Sequence, residues 1–351
     1  MPVKKVMLEG NIIMSAPFVS VIMSVYNTKL EFLKESIQSI LNQSYGFFEF
    51  IIIDDASTTT EIENTIRGYG DKRIIFVKNQ SNYGLTKSLN IAIDISKGQY
   101  IARMDADDIS LNTRLEKQVR FMEGNQDIGV VGANAFCFGE YESKTKWPET
   151  HEQIHARMLL ENPMVHSSVM IRASLLKRFS YDESHRAAQD YELWSRLIWK
   201  SRFQNISEPL LKYRVHKNQV TKVSKNSQCS SANYARLNML SKLIDIDDET
   251  SFLFLQSCSS IPSSSIEEIN EIRSLYLKLI EVNKQKRIFN SEELRYILSR
   301  NFDRILYVYA RDTDRMYRLR DMKGLGGKSS MFTIKKYLAP IYPVLRIFFK
   351  R

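Results

Sequence analysis

Short apolar runs alternate with helix-length amphipathic segments over the first third of the chain. Residues 19–25, 50–53, 73–77 and 99–104 read as buried strands, because each is dominated by β-branched, aromatic and other apolar side chains. Between them, residues 30–41 place Leu30, Leu33, Ile37, Ile40 and Leu41 on one helical face, and residues 61–69 and 86–96 carry two further helices. Strands and helices in this rhythm predict βαβ units in a mostly parallel sheet, with ligands at the carboxyl ends of the strands. The pattern continues with more irregular connections from 111 to 220, with helices expected at 112–122, 151–160 and 190–200 and strands at 128–131, 133–138, 167–171 and 209–215. Beyond Thr221 the texture changes: Ser- and Asn-rich links at 224–231 and 257–265 separate helical segments, the clearest at 266–282 and 292–310. The expected organisation is an N-terminal extension at 1–18, an α/β domain at 19–220, a helical appendage at 221–310 and a basic tail at 311–351.

Composition narrows the function classes. The three cysteines, Cys137, Cys229 and Cys258, are far apart and form neither a CxxC nor a Cys/His metal spacing, so a reducing cytoplasm is the expected setting. The apolar stretch at the N-terminus is broken by Glu9, Gly10 and Asn11, too weak for a secretory signal, and no run of about 18 apolar residues predicts a membrane span. The net charge is +10, but residues 311–351 hold 11 Lys/Arg and 3 Asp/Glu, which leaves +2 for the rest of the chain. Basicity confined to a tail argues against a nucleic-acid partner, which calls for basic and aromatic residues spread over a folded face. The aromatic and cationic residues that close the tail suit peripheral attachment to an anionic membrane; a terminus that touches nothing is the other reading.

The chemistry concentrates in two acidic clusters. Asp105-Ala106-Asp107-Asp108 follows the strand at 99–104, and three carboxylates within four residues repel one another unless they share a cation; hard oxygen ligands suit Mg²⁺ or Mn²⁺. An acidic turn capping the next helix is the alternative when the motif is taken alone. Asp54-Asp55-Ala56-Ser57 follows the strand at 50–53, so it is expected at the same sheet edge. A carboxylate there can accept the N3 proton of uracil or ribose hydroxyl protons, and an Asx-type turn explains the pair equally well in isolation.

These elements fall in an order that resembles the family 2 glycosyltransferases of the GT-A fold. Ser24-Val25-Tyr26-Asn27, Asp54-Asp55-Ala56-Ser57, Asn82-Tyr83-Gly84-Leu85 and Arg103-Met104-Asp105-Ala106-Asp107-Asp108 look like that family's successive landmarks. Gln189-Asp190-Tyr191-Glu192-Leu193-Trp194 resembles its catalytic acidic motif, and Tyr213-Arg214-Val215-His216 its closing strand, so the resemblance spans about residues 18–220. It implies an inverting transfer of a sugar from a UDP-sugar to a glycan or lipid-linked glycan. Asp54, Asp55, Val25 and Tyr26 would then hold the nucleotide, with Asp105 near the ribose or metal. Asp107 would be the principal ligand of Mn²⁺ or Mg²⁺, His216 would reach the diphosphate or metal, and Asp190 would be the general base. The stretch from Arg103 to Asp108 looks most like enzymes of exopolysaccharide, capsule and O-antigen assembly, where galactose and N-acetylhexosamine donors are common.

Departures shape the expectation. The catalytic motif begins Gln189-Asp190 where many relatives carry Glu-Asp, and the QxxRW motif of processive members is absent, which favours addition of a single sugar. His166 is read as a sugar contact or a structural histidine, His216 as a diphosphate or metal contact or a surface loop, and Lys87 as a phosphate contact or a solvated lysine. Trp147 is a candidate stacking platform for an acceptor sugar, while Leu193 and Trp194 read as helix core. A nucleotidylyltransferase would need a Gly-rich loop after the first strand, where Tyr26-Asn27-Thr28 stands instead, and a non-catalytic sugar-nucleotide binder is disfavoured by intact Asp107 and Asp190.

Overall fold

The computed structural model describes residues 6–8, 11–13, 17–216, 225–259 and 265–313. The expected N-terminal extension and basic tail fall largely outside these residues, the tail from 314 onward. The chain divides into two compact units, Met1–His151 with Pro163–Ala232, and Glu152–Asn162 with Asn233–Arg351.

The first unit carries a small hairpin, β1 (Val6–Leu8) with β2 (Asn11–Ile13), and a nine-stranded sheet. Its parallel half is the predicted βαβ series: β3 (Val19–Val25), β4 (Phe48–Asp54), β5 (Ile74–Lys78) and β6 (Tyr100–Arg103), in the order β5-β4-β3-β6. Helices α1 (Leu30–Leu41), α2 (Thr60–Gly68) and α3 (Leu85–Ile95) connect them. β4 is buried along its whole length and β3 nearly so, as strands covered on both faces must be. From α1, Leu33, Ile37 and Ile40 enter the core, the face expected from their spacing.

The other half of the sheet is mixed. β7 (Ile109–Ser110) and α4 (Arg114–Gly124) lead to β8 (Ile128–Gly139), with β9 (Ser143–Lys144) beside it. α5 (His151–Arg157) and a 3-10 turn at His166–Ser168 precede β10 (Met170–Arg172), which runs antiparallel between β6 and β8. α6 (Ala173–Phe179) and α7 (Gln189–Leu197) then lead to β11 (Arg202–Val215), parallel to β8. The strand expected at 167–171 is thus corrected to a 3-10 turn followed by a shorter strand.

The second unit is helical. α8 (Lys225–Ser241) begins inside the stretch read as a Ser-rich link, a correction explained by Ala235, Met239 and Leu240, which pack one side of the helix into the core despite poor local propensity. α9 (Asp248–Cys258), α10 (Ile266–Lys286) and α11 (Ser291–Thr313) follow. Ile269, Ile272, Tyr276 and Leu279 form the buried stripe of α10. Arg304 donates to Ser257 O and Ser259 O, both at 2.8 Å, satisfying carbonyls that the end of α9 leaves unpaired. The 152–162 excursion belongs here through the His155–Phe289 ring contact at 4.6 Å and Arg236 Nε donating to Leu160 O at 2.8 Å. Among the described residues, no helix is long and apolar enough to cross a membrane.

Candidate active site

The three parallel strands β4, β3 and β6 end side by side, with Val25 opposite Asp54 and Ile22 opposite Arg103, so the loops after them share one edge. Beyond β3 and β4 the chain turns through positive φ at Asn27 (48°) and Ala56 (59°). The turns are zipped together: Asn27 Oδ1 accepts from Thr58 N (2.9 Å) and Thr58 Oγ1 (3.0 Å), and Asn27 N donates to Ser57 Oγ (3.1 Å). Asp54 is buried; its Oδ1 accepts from Ser57 N at 3.0 Å, while Oδ2 has no hydrogen-bond partner among the described residues and lies 4.0 Å from Lys78 Nζ. Asp55 is also buried. Its Oδ1 accepts from Asn79 Nδ2 (2.7 Å) and Tyr83 N (2.8 Å), and its Oδ2 from Gly84 N (2.8 Å). Gly84 has φ 88° and ψ 160°, a conformation that needs glycine, and it aims α3 from this edge. Asp55 therefore organises the loop into α3, while Tyr26 and Tyr83 stand exposed at the rim.

The second cluster is built differently. After β6, the carboxylate oxygens of Asp105, Asp107 and Asp108 lie within 4.8 Å of one another. Burial first, then Asp105 and Asp107, push Asp108 well above the ordinary carboxylate range. Burial and Asp105 also raise Asp107, against the opposing effect of His216, whose Nε2 is 2.9 Å from Asp107 Oδ2. Asp105 pairs with Arg103, and α1 holds its carbonyl through Ser36 Oγ at 2.7 Å. Asp108 accepts from Ser167 Oγ and from Arg214 N, the latter at 2.8 Å. The Arg214 guanidinium lies over the rings of Phe32 (4.1 Å) and Phe138 (4.5 Å), donates to Asp107 O at 2.8 Å and pairs with Glu35. Three hard carboxylates this close together, with Asp107 and Asp108 holding their charge at a penalty, fit a divalent cation, whose charge would relieve the repulsion.

A third group adjoins these. α7 begins after Ala188, itself at φ 49°, and puts Asp190 in its first turn, where unpaired backbone N–H groups favour a carboxylate. Tyr181 is pushed above the ordinary phenol range by burial, and Asp190 and Asp105 add to the rise while Arg103 opposes it, so both carboxylates act on one phenol. The Tyr181 hydroxyl and His166 Nε2 are hydrogen-bonded at 2.6 Å. Burial and Arg103 hold His166 well below the ordinary imidazole value.

The chain is similar to proteins of known class. A glycosyltransferase of Methanocaldococcus jannaschii is 42% identical over 209 residues, 58% of this chain and 72% of that protein. Residues 20–183 match the sequence profile described as Glycosyl transferase family 2. The chain belongs to glycosyltransferase family 2. The O-antigen biosynthesis glycosyltransferase WbnJ of Escherichia coli is 34% identical over 233 residues, 64% of this chain and 89% of WbnJ. The crystal structure of S. aureus TarS in complex with UDP-GlcNAc superposes with a TM-score of 0.58 at 17% identity, over 87% of this chain and 95% of that one, a likeness of fold.

In this family 2 glycosyltransferase the structure gathers Asp105, Asp107, Asp108 and His216 into one cluster, and Asp190 shares with Asp105 an electrostatic effect on Tyr181. Asp54 and Asp55 lie together at the end of β4 as buried groups, and Val25, at the end of the neighbouring β3, is core. Glu192, the other carboxylate in the first turn of α7, is buried in a two-pronged pair with Arg196 at 2.6 and 2.9 Å. Trp147 is anchored through its backbone N–H to Asn134 Oδ1 at 2.9 Å and its indole nitrogen is sealed from solvent, so it is packed more than presented. Lys87 is exposed, 4.6 Å from the Tyr83 ring centre, and Leu193 and Trp194 are core as expected. Tyr181, Ser167 and the Phe32–Arg214–Phe138 stack were not anticipated, since neither spacing nor periodicity links residues that distant along the chain.

Proposed function

We propose that this glycosyltransferase moves a single sugar, galactose or an N-acetylhexosamine, from a UDP-sugar to a hydroxyl of a glycan or lipid-linked glycan, with inversion at the anomeric carbon. The product belongs to a surface polysaccharide such as an O-antigen, capsule or exopolysaccharide. Asp105, Asp107 and Asp108, with His216, are the groups that would hold Mn²⁺ or Mg²⁺, which when bound supplies positive charge against the diphosphate as negative charge gathers on UDP. Tyr26, Asp54 and Asp55 shape the nucleotide side of the cleft. Asp190 takes the proton from the acceptor hydroxyl while its oxygen bonds to the anomeric carbon opposite UDP and the bond to the phosphate oxygen breaks. The basic tail holds the enzyme peripherally at the inner face of an anionic membrane.

The observation that supports this reading is that the carboxylates of Asp190 and Asp105 both act electrostatically on the buried phenol of Tyr181. A panel of UDP-sugars, each with and without Mn²⁺, tests it by thermal stabilisation. At a hundred dissociation constants of ligand a shift equivalent to about 2.7 kcal/mol is expected, for UDP-sugars and only with the metal. No shift for any UDP-sugar in the presence of Mn²⁺ contradicts the reading.

A further inference from the structure

The proton arrangement of the His166–Tyr181 pair is set by its surroundings. Tyr181 is 3% exposed, and its hydroxyl has no hydrogen-bond partner among the described residues except His166 Nε2, at 2.6 Å. If Nε2 carried the imidazole proton, it would donate to the phenol oxygen and leave the phenol proton buried without an acceptor. The satisfied arrangement has the phenol O–H donating to Nε2, which places the ring's single proton on Nδ1. Nδ1 makes no hydrogen bond among the described residues and is not sealed from solvent. Trp194 meets the ring edge-on at 6.0 Å between centroids and fixes its orientation.

The pair lies where a transferred sugar must pass. On the proposed reading, an anomeric carbon bonded to a diphosphate on one side and attacked by a hydroxyl on the other sits between Asp105–Asp108 and Asp190; Ser167, next to His166, donates to Asp108, and both Asp105 and Asp190 act on Tyr181. We infer that Nδ1–H of His166, held in that tautomer by Tyr181, donates a hydrogen bond to a hydroxyl of the donor sugar. His166 is then a sugar-recognition residue and Tyr181 its positioning residue, an assignment that rests on the UDP-sugar reading above. The imidazole is kept neutral by burial and by Arg103, and a neutral single donor suits a sugar hydroxyl, whereas an imidazolium would favour the diphosphate.

Two measurements on the full chain test this. In ¹⁵N-histidine NMR of the five histidines, with His166 assigned by its loss in His166→Gln, the parent should show the Nδ1–H tautomer and Tyr181→Phe should lose that preference. An Nε2–H tautomer in the parent overturns the inference. In calorimetric titrations with Mn²⁺, UDP, UDP-galactose and UDP-N-acetylglucosamine, Tyr181→Phe and His166→Gln should keep the parental UDP affinity. The ratio of UDP-sugar to UDP affinity should fall about tenfold for the preferred sugar, the scale of one hydrogen bond lost. An unchanged ratio in variants that bind UDP normally also overturns it, with the UDP-sugar reading intact. A parent that binds none of the three nucleotides overturns that reading, and the sugar contact with it.

Discussion

Two acidic clusters at one edge of the same sheet look alike in sequence and are opposite in construction. At the end of β4, Asp55 spends both oxygens on backbone and side-chain donors of the 79–84 loop, and one oxygen of Asp54 closes its own turn. Those carboxylates do the folding work that N–H groups ask of an acceptor. At the end of β6, Asp105, Asp107 and Asp108 crowd within 4.8 Å, and burial and mutual repulsion raise Asp107 and Asp108 against only partial relief from His216, Ser167 and Arg214. Three of the four carboxylate oxygens in the first cluster already have donors, while the second would be stabilised by a ligand of opposite charge. Whether an acidic pair is scaffold or site is decided by how many donors reach it.

The contrast can be broken most sharply at Asp107. Asp107→Asn should lower transfer by roughly 10³-fold or more, the scale of several kcal/mol of charge stabilisation, and remove the Mn²⁺ dependence of UDP binding. Its folding stability should stay near the parent's, because a crowded charge has been taken away. Steady-state kinetics with urea unfolding checks both halves, and a variant that keeps Mn²⁺-dependent UDP affinity refutes the cation site.

Asp55→Asn should behave the other way. An amide presents a donor to one of the N–H groups that Asp55 now accepts, and urea unfolding should register a loss of about 2–3 kcal/mol, the cost of unsatisfied buried groups beside a lost charged acceptor. Metal dependence should persist. Full stability in this variant, with metal dependence gone, would collapse the distinction between the clusters.

The smallest effect concerns His166, which adjoins the second cluster and is held well below its ordinary value of 6.5. An unfolded chain protonates this histidine below pH 6.5 and the folded chain does so only at lower pH, so the unfolded state binds more protons in that window. Its contribution to stability is complete above pH 6.5 and is lost as the pH falls, with a slope of at most ~1.4 kcal/mol per pH unit. Denaturation at pH 7, 6 and 5 should show a shallower decline for His166→Gln than for the parent, and equal slopes would contradict the assigned environment.

The parallel half of the sheet was legible because its strands are buried on both faces and its helices have clean stripes; β3 and α1 occur at the expected residues. β8 was read as two fragments because Gly132 interrupts it, yet a Cβ there would meet Asn205 Oδ1 on β11 at 2.2 Å, so the glycine serves the close pairing of two long strands. The helix from Lys225 was hidden by its Ser and Asn content, and α9 carried an unread signal in Asp247, whose carboxylate accepts from Thr250 N at 2.7 Å. The motifs at 54–57 and 105–108 follow parallel strands on either side of β3, as their positions after apolar runs led one to expect. They could not reveal how many donors fold over each carboxylate, because those donors arrive from Asn79, Ser167 and Arg214, far away in the chain.

The central claim is a division of labour, with Asp105–Asp108 for the donor diphosphate and Asp190 for the acceptor proton. Asp190→Asn keeps the shape of the helix start and removes the proton acceptor, so its kcat for sugar transfer, measured beside its UDP affinity in Mn²⁺, tests that division directly. The account predicts a loss of roughly 10²–10⁴-fold in kcat, the range for a general base, with UDP affinity near the parent's. Transfer at the parental rate would contradict it, and since Glu192 is locked to Arg196, the base would have to be sought outside α7.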